Sequence, residues 1–295
     1  MQDKPRITIF TPSYNRAHTL PRLYDSLKRQ NNKNFIWLIV DDGSTDNTKN
    51  LVDKWINEEK NFVIEYIFKE NGGMHTAHNT AYQHIHTELN VCIDSDDCLA
   101  EDAINKIFKL WDSHDHEGIA GIIGLDSDLN GKIIGRDLSN LFRTTLSGYY
   151  AKGGKGDKKL VYRTDVIKQY PEYPVFDGEK YVGLNYKYLL IDQNYELLVL
   201  NDVLCNVEYQ EDGSSNSMWK QYYNNPKGFA FLRKFYMERN TSIIRNMIDA
   251  IHYVSSSKLS DNRHYIKESP KKMLTVFCIP MGLLLKTIVQ IRGKQ

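Results

Sequence analysis

Short continuous apolar runs alternate along the first half of the chain with stretches where apolar residues recur every three or four positions. Arg6-Ile-Thr-Ile-Phe-Thr11 predicts a buried strand. Leu20, Leu23, Tyr24 and Leu27 then fall at helical spacing, with Thr19 placed to cap the helix and Pro21 in its first turn. Phe35-Ile-Trp-Leu-Ile-Val40 is a second strand, and Asp46 is expected to cap a helix carrying Leu51, Val52, Trp55 and Ile56. Phe62-Val-Ile-Glu-Tyr-Ile-Phe68 predicts a third strand, Asn90-Val-Cys-Ile93 a fourth and Ile119-Ala-Gly-Ile-Ile-Gly-Leu125 a fifth. The spacing of Ile104, Ile107, Phe108 and Trp111 marks a helix between the last two. Continuous apolar strands alternating with helices predict an α/β fold with a mostly parallel central sheet flanked by helices.

Beyond residue 126 the pattern loosens. Leu160-Val-Tyr-Arg-Thr-Asp165 predicts a strand running into a short helix, and a helix is expected over 179–191. Strands are expected at Glu196-Leu-Leu-Val-Leu200 and over 203–209, and a loop over 210–217. Residues 218–295 read as a helical C-terminal extension. Its last stretch, 271–294, is rich in apolar residues, is interrupted by Pro280 and Gly282, and is flanked by basic residues. That composition suits a helix packed on the domain or pairing in a homodimer, or one resting on an anionic membrane surface. The expected division is a domain over 1–217, with halves at about 1–126 and 127–217, followed by 218–295.

Each polar cluster in the first half sits just after a strand. In an open α/β sheet those strand ends share one edge, where ligands bind. Residues 12–16, 41–46, 71–79 and 94–97 are therefore expected to converge. The last of these presents Asp94, Asp96 and Asp97 at a strand end, and carboxylate oxygens suit a hard cation such as Mg²⁺ or Mn²⁺. Asp94 and Asp96 lie two apart, so an extended chain would point them the same way.

Composition narrows the field. The net charge of +1 gives no support for a nucleic-acid partner. The four cysteines form no C-x-x-C pair, which fits reduced thiols of a cytoplasmic protein. No run is long and apolar enough to span a bilayer, and no apolar signal region opens the chain. No G-x-G-x-x-G follows the first strand, and Gly153-Gly-Lys-Gly156 does not complete a Walker loop, which argues against a nicotinamide dehydrogenase and a P-loop enzyme.

Thr11-Pro-Ser-Tyr-Asn-Arg16, Asp41-Asp-Gly-Ser-Thr-Asp46, Asn71-Gly-Gly-Met-His-Thr-Ala-His-Asn79 and Asp94-Ser-Asp-Asp97 together resemble the family 2 glycosyltransferases, over roughly residues 5–215. Gly156-Asp-Lys-Lys-Leu-Val-Tyr-Arg-Thr-Asp165 and Phe176-Asp-Gly-Glu-Lys-Tyr181 look like bacterial members that build capsular or other surface polysaccharides. The resemblance implies the GT-A nucleotide-diphospho-sugar transferase fold. It implies inverting transfer of one sugar from a nucleotide-sugar donor, with UDP expected, assisted by Mn²⁺ or Mg²⁺. The implied acceptor is a saccharide, carried on a polyprenyl diphosphate at the inner face of the cytoplasmic membrane.

By the same resemblance, Asp96 and Asp94 would hold the metal. Pro12, Tyr14, Arg16, Asp41, Asp42, Asn71, Gly73, His78, Asp94 and Ser95 would bind the nucleotide sugar. Tyr14 can lie against the base, or be a core tyrosine. Either Asp41 or Asp42 can accept from the uracil N–H. His78 stands where many members carry an arginine, which leaves its role open. An inverting transfer needs a base to take the acceptor hydroxyl's proton. The family's Glu-Asp pair is missing, so Glu179 is expected to serve, with Asp177 as the alternative. That departure also admits a non-catalytic nucleotide-sugar-binding or scaffold protein of a polysaccharide assembly.

Overall fold

A computed structural model describes residues 4–208 and 217–294. The expected loop over 210–217 therefore lies almost wholly outside the described residues, as does the end of the strand expected over 203–209. The chain divides into two compact units. Unit 1 takes Met1–Asn71, Ala77–Glu172 and Lys187–Gln210, and unit 2 takes Gly72–Thr76, Tyr173–Tyr186 and Glu211–Gln295.

The elements up to the first aspartate turn are β1 (Ile7–Ser13), α1 (Leu20–Arg29), β2 (Phe35–Asp41), α2 (Thr48–Glu58), β3 (Val63–Phe68), α3 (Met74–His84) and β4 (Leu89–Cys92). After it come β5 (Cys98–Leu99), α4 (Ala103–Asp112), β6 (Ile119–Ser127), β7 (Arg143–Thr144) and α5 (Leu146–Ala151). Then follow β8 (Lys158–Arg163), α6 (Thr164–Ile167), α7 (Asn185–Ile191) and β9 (Glu196–Asn206). Nine strands among the described residues form one sheet in the order β3-β2-β1-β4-β8-β6-β9-β5, with β7 beside β9.

The first four strands are parallel, as their continuous apolar runs require of a sheet covered on both faces. The sheet then becomes mixed, because β8 runs antiparallel to both β4 and β6. The two strands expected after residue 196 are one, β9, with register irregularities against β6. The helices contribute the apolar stripes read from the spacing: Leu20, Leu23 and Leu27 from α1, and Ile104, Ile107 and Trp111 from α4, are buried. Tyr24 and Trp55 stack at 4.5 Å over Trp37, whose indole N–H donates to Thr11 Oγ1 at 3.0 Å. Each such aromatic buries a large apolar area, while the indole keeps its hydrogen bond.

Several local expectations are corrected. Pro12 is not in a loop: β1 continues through Ser13, paired with Asp41 of β2. Proline is tolerated there because pairing with β4 has already ended at Phe10. Thr19 occupies the N-cap of α1 without a side-chain cap bond; its hydroxyl donates to the Arg16 carbonyl instead. Asn47, not Asp46, is the N-cap residue of α2. Asp46 acts from one residue earlier, accepting from the Thr48 N–H at 3.0 Å and the Thr48 hydroxyl at 2.6 Å. The expected helix over 179–191 is shorter, beginning only at Asn185.

In unit 2 the helices are α8 (Met218–Asn224), α9 (Pro226–Arg239), α10 (Ile243–Leu259), α11 (Tyr265–Glu268), α12 (Lys272–Phe277) and α13 (Ile279–Arg292). Met237, Ala250, Tyr253, Val254, Tyr265 and Cys278 form its core, with Leu274 and Ile279 packed against it. Pro280 lies in the first turn of α13, where its missing N–H costs nothing. Gly282 is a packing contact and no interruption: a Cβ there would stand 2.5 Å from Val254 Cβ on α10.

Candidate active site

Three of the post-strand loops of unit 1 are stitched together by hydrogen bonds. Asn15, at φ +54°, turns the chain after β1 and accepts from the Thr45 N–H at 2.8 Å through its side chain. Its own N–H donates to Ser44 Oγ at 2.8 Å, and the Ala17 N–H donates to Asp46 at 3.1 Å. Asn71, beyond β3, donates to the Asp42 carbonyl at 2.7 Å. Gly43, at φ +87°, admits this approach, since a Cβ would meet the Asn71 backbone nitrogen at 2.8 Å.

Asp41 and Asp42 are both buried. Asp41 accepts from the Ser44 N–H at 2.7 Å and the Tyr66 hydroxyl at 2.6 Å. Asp42 accepts from Lys69 Nζ at 2.6 Å. Asn71 Nδ2 lies 3.3 Å from the second oxygen of Asp42, and the two bonds to Asp41 leave its oxygens lone pairs for a further donor. Tyr14 is 49 % exposed, so it is not a core tyrosine.

The fourth loop is a turn, not an extended strand end. The Asp97 N–H donates to the Asp94 carbonyl at 3.0 Å, so Asp94 and Asp96 are not related by strand alternation as expected. Ser95 is buried within the turn. β5 follows at once and pairs antiparallel with β9. Arg22 of α1 holds the turn from one flank, bonding both the Asp96 carbonyl and Glu208. Burial, then the neighbouring Asp94, raises Asp96 above the usual carboxylate range, against the pull of Arg16 and Arg22. Arg16, Asp94 and Asp96 are thus close enough to act on one another, which ties the first loop to the fourth.

Asp97 points inward. It accepts from Cys205 Sγ at 3.6 Å and from the Glu208 N–H at 3.4 Å, and Lys159 Nζ lies 3.8 Å away. Burial, together with Asp94, Asp96 and Asp126, pushes it up to about 7 against Lys159. Burial works against the Lys159 charge, but Asp126, Cys205, Asp97 and Asp94 hold it cationic.

The sequence reading missed this buried cluster. Asp126 ends the apolar run of β6, the same signal that marked Asp94, and could have been found. Lys159 carried no signal, because a lysine in an alternating strand reads as solvent-facing. Arg22 was hidden for the same reason, on the polar side of the α1 stripe.

His78 is fully buried. Its Nδ1 lies 3.2 Å from the Tyr82 hydroxyl, its Nε2 lies 3.6 Å from Cys92 Sγ, and Phe10 meets its ring edge-on at 4.9 Å. Gly73, Asp177 and Glu179 belong to unit 2. At φ +91°, Gly73 lies against the Lys180 carbonyl, where a Cβ would stand at 1.9 Å. Glu179 is buried and accepts from the Lys227 and Gly228 N–H groups, each at 2.8 Å. Its carboxylate caps the exposed donors at the start of α9. Burial raises it above its ordinary range despite those two bonds. Asp177 is exposed.

Among the described residues no three His, Cys, Asp or Glu side chains are grouped to hold a metal ion by themselves. The donor set still fits a hard cation. Asp94 and Asp96 crowd each other enough to raise Asp96, and such a cation accepts one or two carboxylates when phosphate and water complete its shell. A cleft of about 710 Å³ lined by Glu88, Trp111, Arg163 and Lys168 contains none of the candidate residues.

Residues 8–170 match the family described as glycosyl transferase family 2. The chain belongs to this family. Over 110 residues it is 34% identical to the teichoic acid poly(glycerol phosphate) polymerase of Staphylococcus epidermidis, covering 37% of this chain and 15% of that relative. This family 2 member thus spans a small part of that relative's length. S. aureus TarS 1–349, solved in complex with UDP-GlcNAc, superposes with a TM-score of 0.64 at 16% identity, covering 98% of this chain and 92% of that one. The mannosyltransferase PcManGT of Pyrobaculum calidifontis, solved with GDP-Man and Mn²⁺, gives 0.55 at 17% identity, covering 98% and 81%. These likenesses establish the fold, and it is the GT-A glycosyltransferase fold expected from the four loops.

Proposed function

We propose that the protein is an inverting glycosyltransferase that moves one sugar from a UDP-sugar to a saccharide acceptor in surface polysaccharide synthesis. The observation carrying this reading is the meeting of four post-strand loops at one edge, with Asp94 and Asp96 crowded in the last. Tyr14 offers the base a solvent-facing ring, and Asp41 or Asp42 accepts from its N–H. Pro12, Arg16, Asn71, Gly73 and Ser95 complete the donor-binding set. The UDP-GlcNAc bound by TarS and the Mn²⁺ in PcManGT support the donor class and the metal.

Asp94 and Asp96 would hold Mn²⁺ or Mg²⁺, whose charge offsets that gathering on the leaving diphosphate. Arg16 adds a fixed positive charge on the same side. The acceptor hydroxyl loses its proton to Glu179 or Asp177. Glu179 already has a backbone donor on each oxygen, whereas Asp177 is exposed.

The acceptor is proposed to be lipid-linked. Residues 271–294 carry five basic and no acidic side chains. Met273 is 90 % and Phe277 71 % exposed. Met281 and Leu284 of α13 are exposed as well, and exposed apolar side chains beside basic ones suit an anionic membrane surface. No described helix is long and apolar enough to cross a membrane. The proposed location is the inner face of the cytoplasmic membrane, with the protein bound peripherally.

Calorimetric titration of UDP with and without Mn²⁺ tests the donor site. Wild type is expected to bind in a metal-dependent way and Asp96→Ala to lose that dependence. Equal binding by both would refute the assignment. With a UDP-sugar and acceptor, nucleoside diphosphate release separates an enzyme from a scaffold. Asp177→Asn and Glu179→Gln then identify the base, whose loss should lower kcat by about 10²–10⁴-fold while leaving UDP affinity unchanged.

A further inference from the structure

Behind the aspartate turn, a chain of polar side chains runs from Asp94 into the interior of unit 1. Cys92, the last residue of β4, places its Sγ 3.7 Å from Asp94 Oδ1. His78 Nε2 lies 3.6 Å from the same sulfur, and His78 Nδ1 lies 3.2 Å from the Tyr82 hydroxyl. A carboxylate only accepts hydrogen bonds, so the thiol is the donor to Asp94. The sulfur lone pair then accepts from the His78 Nε2–H. Nδ1 and the Tyr82 hydroxyl share the remaining hydrogen bond. The run from Asp94 through the sulfur thus places a proton on His78 Nε2. The edge-on contact of Phe10 holds the imidazole plane in place.

We propose that Cys92 and His78 are positioning residues that set the orientation of Asp94 for the metal and diphosphate. The inference rests on the donor-site reading above. The thiol occupies Oδ1, and among the described residues no hydrogen bond to Oδ2 is made, which leaves that oxygen for the ligand. His78 thereby acts on the donor without touching it. It locks a carboxylate through one sulfur atom. The same arrangement explains why a sulfur stands at Cys92: the thiol reaches both partners at lengths of 3.6 and 3.7 Å, which a shorter hydroxyl spans less well.

The test is the UDP titration on the full chain, with Mn²⁺ and with EDTA, for wild type, Cys92→Ala, His78→Phe, the double variant and Asp96→Ala. Cys92→Ala should weaken Mn²⁺-dependent binding about fivefold to tenfold, the scale of one ordinary hydrogen bond, as suits a weak thiol donor. Binding in EDTA should not change. With His78 acting on Asp94 through the sulfur, the double variant should bind no more weakly than Cys92→Ala. Cys92→Ser, which keeps a donor and an acceptor but has a shorter reach, should recover only part of the loss. Cys92→Val, close in shape and unable to hydrogen-bond, serves if alanine unfolds the chain. Wild-type affinity in Cys92→Ala, equal weakening with and without metal, or additive losses in the double variant each overturn the relay. If the wild type shows no metal-dependent binding, or Asp96→Ala binds as the wild type does, the donor-site reading fails and takes this inference with it.

Discussion

At the scale of single residues, Asp46 does more than its place in the sequence announced. Its carboxylate joins the loop after β1 to the first turn of α2, through Ala17, the Thr48 N–H and the Thr48 hydroxyl. Burial works to raise its pKa, but those three bonds and His18 hold it below the ordinary 3.8. A carboxyl depressed on folding stabilises the fold above its unfolded pKa, and that contribution is lost as pH falls through the folded value. Asp46→Asn is therefore expected to lower the urea midpoint at pH 7, and the gap from wild type should close below pH 3.8. Urea melts of both proteins across that range provide the check. Residue types made Asp46 and Thr19 legible as cap candidates. Which oxygen meets which N–H depends on local backbone angles, and these the sequence does not display. The exposure of Tyr14 and the inward turn of Asp97 were equally hidden, since both follow from a tight turn that residue types alone do not reveal.

Elements were more readable. The four parallel strands and the helices between them follow from runs and spacings set by burial. The failures have physical causes. β5 has two residues, too few to show a period. The expected helix over 179–191 loses its first turns because Gly178 sits at φ +77° and Glu179 is drawn to the start of α9. Tyr181 satisfies its apolar ring by stacking on Phe229 at 4.9 Å, so helical spacing there reflected packing of another kind. The C-terminal glycine misled in the same way: what looked like a break is the point where α13 meets α10. Gly282→Leu would drive atoms into Val254 and the Ile251 carbonyl. Its cost is expected at about 1–3 kcal/mol, read as a lowered denaturant midpoint, with UDP binding by the folded fraction unchanged.

For the whole molecule, the helical extension is not an appendage to be cut away. Leu274, Cys278 and Ile279 complete the core of unit 2 around Ala250, Tyr253 and Val254. A chain ending at residue 270 is expected to unfold unit 2 at a lower temperature, so it is a poor test of membrane binding. Met273→Glu with Phe277→Glu is the better one, because both side chains are exposed and contribute little to that core. These changes should abolish sedimentation with vesicles containing phosphatidylglycerol while leaving the melting temperature within a degree or two. Retained sedimentation would remove the membrane from the proposal.

The way the two units are drawn from the chain also sets the order in which a nascent polypeptide can complete them. The strands of the parallel half, β1 to β4, lie within residues 7–92 and emerge before the rest of the sheet. β8, β6 and β9 come later, and the chain must pass β9 to Glu208 before Asp97 finds its backbone partner. Unit 2 takes its first piece at Gly72–Thr76 and its last at the C-terminus. Contacts so distant in sequence close slowly. Its earliest segment must therefore wait, exposed to neighbouring chains, until the helices of unit 2 have been made.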